Sequence, residues 1–68
     1  MEQLVEFLKR RGFEPNVRIF LSSDGCSVEG NGLDVMHIYM LYQFDDEFVE
    51  IIEKLRQDGI TEITLNYD

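Results

Sequence analysis

Two segments of this chain, residues 8–13 (LKRRGF) and 55–60 (LRQDGI), share one construction: a leucine, three polar residues, a glycine and an apolar residue. That order is how a helix is made to stop. The glycine takes a positive φ that other residues resist, and the apolar residue after it turns back onto the leucine, so that the last carbonyls find donors. Each segment therefore demands a helix before it, and the residues upstream supply one. In 2–11 (EQLVEFLKRR), Leu4, Val5 and Leu8 make a short apolar stripe, with Glu2 and Glu6 toward the positive end of the dipole and Lys9, Arg10 and Arg11 toward the negative end. In 46–57, Phe48, Ile51, Ile52 and Leu55 recur at i, i+3, i+4 and i+7. Asp45 is placed as the N-cap of this second helix, and Phe44 before it as a staple onto Val49. The two exits reflect shared capping physics and are too short for an internal repeat.

The rest of the chain reads as strand. Pro15 forbids continuation of the first helix, and residues 16–23 (NVRIFLSS) alternate Val17, Ile19 and Leu21 against Arg18, Phe20 and Ser22. Asp24-Gly25 predicts a two-residue type I′ turn, with 26–29 returning antiparallel. Gly30-Asn31-Gly32 is a second turn signal, after which 33–42 (LDVMHIYMLY) reads as a long third strand. Leu33, Val35, His37, Tyr39 and Leu41 would lie on one face of it and Met36, Ile38, Met40 and Tyr42 on the other. Residues 61–67 (TEITLNY) alternate Ile63, Leu65 and Tyr67 against polar neighbours, a half-buried last strand.

With 68 residues there is room for one core, so a single small domain over 1–68 is expected. The predicted fold class is α+β: two layers, a four-stranded mainly antiparallel sheet and two helices, in the order helix, strand, strand, strand, helix, strand. A last strand beside 33–42 would be reached by a parallel right-handed crossover through the second helix. A core this small has little stability to spare, which makes an added interface such as a homodimer an expectation.

Charge narrows the function. The formal net charge is -8, so direct nucleic-acid binding and attraction to anionic membranes are both disfavoured for lack of a cationic surface. A single cysteine, Cys26, excludes an intrachain disulfide and a Cys-rich zinc site, and with no leader or span pattern at the start the expectation is a soluble cytoplasmic protein. Enzymatic chemistry finds no motif. Only His37 could serve as base to Ser22, Ser23, Ser27 or Cys26, and no spacing ties them together, so His37 reads as structural and Cys26 as an inert small side chain. Neither the Asp24-Gly25 nor the Asp45-Asp46-Glu47 segment has the spaced oxygen ligands of a calcium loop, and Gly30-Asn31-Gly32 precedes an expected strand instead of opening a helix as a phosphate loop does. No cofactor, metal or catalytic residue is predicted.

Two surfaces remain. Residues 19–53 hold eight of the fourteen acids and no Lys or Arg, and Asp45, Asp46, Glu47, Glu50 and Glu53 gather on the second helix opposite its apolar stripe. Their field would steer a basic protein partner, which makes a small acidic binding protein the leading expectation. Such a protein would act as an inhibitor, decoy or regulator on a nucleic-acid-binding site, a role that suits a phage or mobile-element product. The other surface is the apolar face of 33–42 carrying Met36, Ile38, Met40 and Tyr42, on which a self-associating structural or regulatory module would be built.

Overall fold

The first helix, α1 (Glu2–Arg10), ends as its exit motif requires. Gly12 has φ +80°, its N–H donates to Lys9 O at 3.1 Å, and the Phe13 N–H donates to Leu8 O at 2.9 Å. The same motif closes the helix Asp46–Gln57, where Gly59 has φ +86° and the Ile60 N–H reaches Leu55 O at 3.1 Å. These paired bonds are the Schellman closure that the two hexapeptides predict. The structure is a computed structural model that describes residues 2–66.

Strand β1 (Val17–Ser22) pairs antiparallel with β2 (Gly25–Gly30), with Ile19 opposite Val28 and Ser22 opposite Gly25. The hairpin loop is therefore Ser23-Asp24, one residue earlier than the Asp24-Gly25 loop read from the sequence. No described non-glycine residue has a positive φ, so the predicted type I′ turn is replaced by one with negative φ at both loop positions and Gly25 as the first residue of β2.

The largest correction concerns residues 33–42. They are not the third strand but most of a helix, α2 (Gly32–Phe44). Asn31 caps it, its side-chain oxygen accepting from the Leu33 N–H at 2.9 Å, and the Val35 N–H donates to Asn31 O at 2.8 Å. Gly30-Asn31-Gly32 thus opens a helix, where the sequence reading places it before a strand. The carboxylate of Asp34 already lies in the first turn, where it accepts from the Asn16 N–H at 3.1 Å. A ten-residue apolar run satisfies either period, because a strand apolar on both faces and a helix apolar all round have the same pattern of residues. Its length, its helix-favouring Leu and Met residues and the Asn cap permit the helix, and the packing of Ile38 and Leu41 into the core settles it.

One residue separates α2 from α3 (Asp46–Gln57). Asp45 has extended backbone angles, donates its N–H to Leu41 O at 2.9 Å to finish α2, and accepts from the Phe48 N–H at 3.2 Å to start α3, as its expected N-cap role requires. Phe44 belongs to the last turn of α2 and is 75% exposed, so it does not staple onto Val49. The chain ends its described course in β3 (Glu62–Leu65), which pairs antiparallel with β1, Ile19 opposite Ile63. Tyr67, the last apolar position of the predicted strand, lies outside the described residues.

The architecture is accordingly α+β, with three helices and a three-stranded antiparallel sheet, in the order β2-β1-β3, among the described residues. The four-stranded sheet and the parallel crossover fall together. Without a strand at 33–42, the open edge of β1 is taken by β3. Val17, Ile19, Leu21, Ile63 and Leu65 point from the sheet into a core completed by Leu4, Phe7 and Leu8 of α1, Ile38 and Leu41 of α2, and Phe48, Ile51 and Ile52 of α3. Arg18, Ser27, Glu29, Glu62 and Thr64 stand exposed on the other face. Leu4 and Leu8 are core as expected, Val5 is only half-buried, and Phe7 is a core residue outside the predicted stripe.

Candidate interaction surface

Helix α2 is covered on one side only. Ile38 and Leu41 enter the core, and the Tyr39 hydroxyl accepts from the Val28 N–H of β2 at 3.3 Å. The opposite side carries Leu33, Met36, Met40 and Phe44, which are 64%, 60%, 52% and 75% exposed. Their spacing of i, i+3, i+7 and i+11 makes a continuous apolar row along the helix.

The four residues predicted to share one strand face, Met36, Ile38, Met40 and Tyr42, are divided by the helix. Met36 and Met40 stay together, one turn apart in solvent. Ile38 is 1% exposed in the core, and Tyr42 is half-buried with its hydroxyl at the Arg56 guanidinium. Leu33 and Phe44 complete the row and were missed, although the 3.6-residue spacing that joins them to the methionines was present in the sequence. Beside the C-terminal half of the row lies a groove of about 230 Å³ lined by Phe13, His37, Met40, Leu41, Phe44 and Asp45. The His37 ring packs on Phe13 with centroids 5.2 Å apart, and none of Ser22, Ser23, Cys26 or Ser27 lines the groove.

The acidic cluster is more compensated than the linear sequence suggests. Packing of α1 beside α3 brings Arg10 and Arg11, remote in sequence, to its N-terminal end. Arg11 pairs with Asp45 at 2.8 Å, and Arg10 with Glu47 at 2.8 Å. Asp45 also serves as the cap of α3, and its side chain is 15% exposed, which removes it from the docking surface. Glu53 is paired with Arg56, whose guanidinium also donates to Gly25 O at 2.9 Å. Hydrogen bonding to Tyr42, then to Glu53, raises the Arg56 pKa further above its ordinary value. Of the five acids predicted to bind a partner, Asp46 and Glu50 are the ones that stand exposed without an ion pair among the described residues.

Cys26 is half-buried on β2, and burial pushes its thiol up, only partly opposed by the charge of Arg56. A raised thiol is a poor nucleophile near neutral pH. Among the described residues no group of His, Cys, Asp and Glu side chains could hold a metal ion, and no helix is long and apolar enough to cross a membrane. Compared with protein-family models, curated proteins and solved structures, the chain matches none of them.

Proposed function

We propose that this chain is a non-enzymatic protein-interaction module whose contact surface is the apolar face of α2. One observation carries the reading: the exposed large hydrophobic side chains of the described residues, Leu33, Met36, Tyr39, Met40 and Phe44, all belong to this single helix. At about 200 Å² per large side chain, the exposed parts of Leu33, Met36, Met40 and Phe44 come to roughly 500 Å², within the ~300–600 Å² that the largest patch on a monomer spans. Covering that area yields roughly 12 kcal/mol gross at ~25 cal/mol per Å², against an association cost of ~4–15 kcal/mol. The patch is thus large enough to bind without help from charge. Its methionines suit it to an adaptable fit.

A second reading keeps the acidic surface of α3 as the docking face for a basic, nucleic-acid-binding site, with the chain as inhibitor or regulator. The net charge of -8 and the absence of Lys and Arg from residues 19–53 favour it. The ion pairs of Asp45, Glu47 and Glu53 weaken it, since they leave Asp46 and Glu50 to do the steering.

Photo-crosslinking separates the two. A photoreactive residue at Met36 is expected to give discrete adducts in cells, and one at Glu50 is expected to give none; adducts from Glu50 alone would transfer the function to α3. Charge reversal gives a second check. Glu53 should be left in place because it holds Arg56, so the clean variant is Asp46→Lys with Glu50→Lys, which moves the formal charge from -8 to -4. Its melting temperature should correspond to a loss within ~1 kcal/mol, from the helix dipole and surface terms. The Met36 adducts should persist in this variant, and their disappearance with the fold intact would favour the acidic face.

A further inference from the structure

We infer that the occupant of the α2 face is α2 of a second copy of this chain, lying antiparallel across a two-fold axis; this rests on the α2 reading above and names its partner. A two-fold contact uses the same patch on both copies, so every feature must find its complement in the patch itself. The α2 row meets that condition. Leu33 and Phe44, and likewise Met36 and Met40, lie at nearly equal distances on either side of Ile38, so antiparallel helices set Leu33 against Phe44 and Met36 against Met40. At one end of the row Leu33 stands 64% exposed, and at the other lies the groove of about 230 Å³ between Phe13, Met40, Leu41 and Phe44. The two-fold puts each Leu33 into the other copy's groove, filling both.

Charge and area agree. Two chains of net charge -8 repel, so a self-contact must be made on a face without charge. Asp34 is the sole Asp, Glu, Lys or Arg of α2, and its carboxylate is engaged by the Asn16 N–H. Antiparallel pairing sets the two Asp34 residues about 13 Å apart along the axis at 1.5 Å per residue, beyond the ~8 Å screening length at physiological salt. Parallel pairing would set them side by side, with both helix dipoles aligned. Burying roughly 500 Å² on each copy gives roughly 1,000 Å² in all, the size that a specific interface should clear.

Sedimentation equilibrium of the whole chain at low and high salt is the first test. A concentration-dependent dimer is expected, and it should tighten as salt rises because screening relieves repulsion between like-charged copies; a complex with a basic partner would weaken instead. Met40→Glu should weaken the dimer at least about tenfold, since it sets an acid into an apolar contact, with a melting temperature unchanged at concentrations where wild type is monomeric, whereas Glu50→Lys should not weaken the dimer. For orientation, Leu33→Cys and Phe44→Cys chains, both carrying Cys26→Ser, are mixed and oxidised. Disulfides between positions 33 and 44 of different copies are expected. Disulfides joining position 33 to position 33 in their place would overturn the antiparallel arrangement. A monomer at every concentration and salt would overturn self-association. In that event, adducts of another protein from Met36 keep the α2 reading, and their absence removes both.

Discussion

Phe48→Ala is expected to destabilise the fold by about 3–5 kcal/mol, the range for emptying a buried phenylalanine site. Phe48 is 1% exposed, and its ring lies 5.8 Å from that of Phe7, itself fully buried. The pair joins α1 to the first turn of α3, so truncation leaves a cavity at the centre of the contact between the two helices. Arg11 stacks over the outer side of the Phe7 ring at 4.8 Å and cannot move inward without leaving Asp45. A domain of this length has a total stability of roughly 3–10 kcal/mol, so the loss removes a large share of it. Urea titration followed by circular dichroism measures the effect. A loss under about 1 kcal/mol would mean that α1 does not pack on α3 as described.

Gly30→Ala should cost about 2–4 kcal/mol, although it adds one methyl group at an exposed position. Gly30 ends β2 with φ +150°, and a Cβ there would lie 2.4 Å from Asn16 O and 2.9 Å from the Val17 Cα. Both neighbours are backbone, and both belong to the start of the central strand. The alternative to a clash is to pull β2 off β1 at the point where the chain turns into α2. Gly32→Ala is the matched control two residues on. It lies in the first turn of α2 with nothing within 4 Å of an added Cβ, so it should be neutral or stabilise by up to ~1 kcal/mol. Melting temperatures of the two variants should therefore move in opposite directions or differ by a wide margin. Equal melting temperatures would show that the Asn16–Gly30 approach is looser than it stands here.

The same contrast between local and distant contacts separates what could be read from the chain in advance. Both helix exits, the Asp45 cap, the alternation of β1 and the alternation of Ile63 and Leu65 were legible in the sequence. The capping bonds run between residues three to five positions apart, such as Phe13 to Leu8 and Ile60 to Leu55, and so depend on nothing else in the fold. The candidate surface was half-legible: Met36 and Met40 were singled out, but under the strand period they were grouped with Ile38 and Tyr42 instead of Leu33 and Phe44.

By itself, then, the amino-acid sequence determined where the first and last helices stop, where the first strand runs, the α+β class and the excess of negative charge. Only the tertiary structure decided that residues 33–42 are helical, because their apolar pattern serves both periods and the open edge of β1 could be satisfied by β3 instead. It alone decided which acids are free, since the ion pair from Arg10 to Glu47 spans 37 positions and exists because α1 packs against α3. Hydrogen-bonded caps are settled over a few residues, whereas strand partners and charge neighbours are settled by which surfaces bury each other. For that physical reason the apolar face of α2 came into view only with the fold.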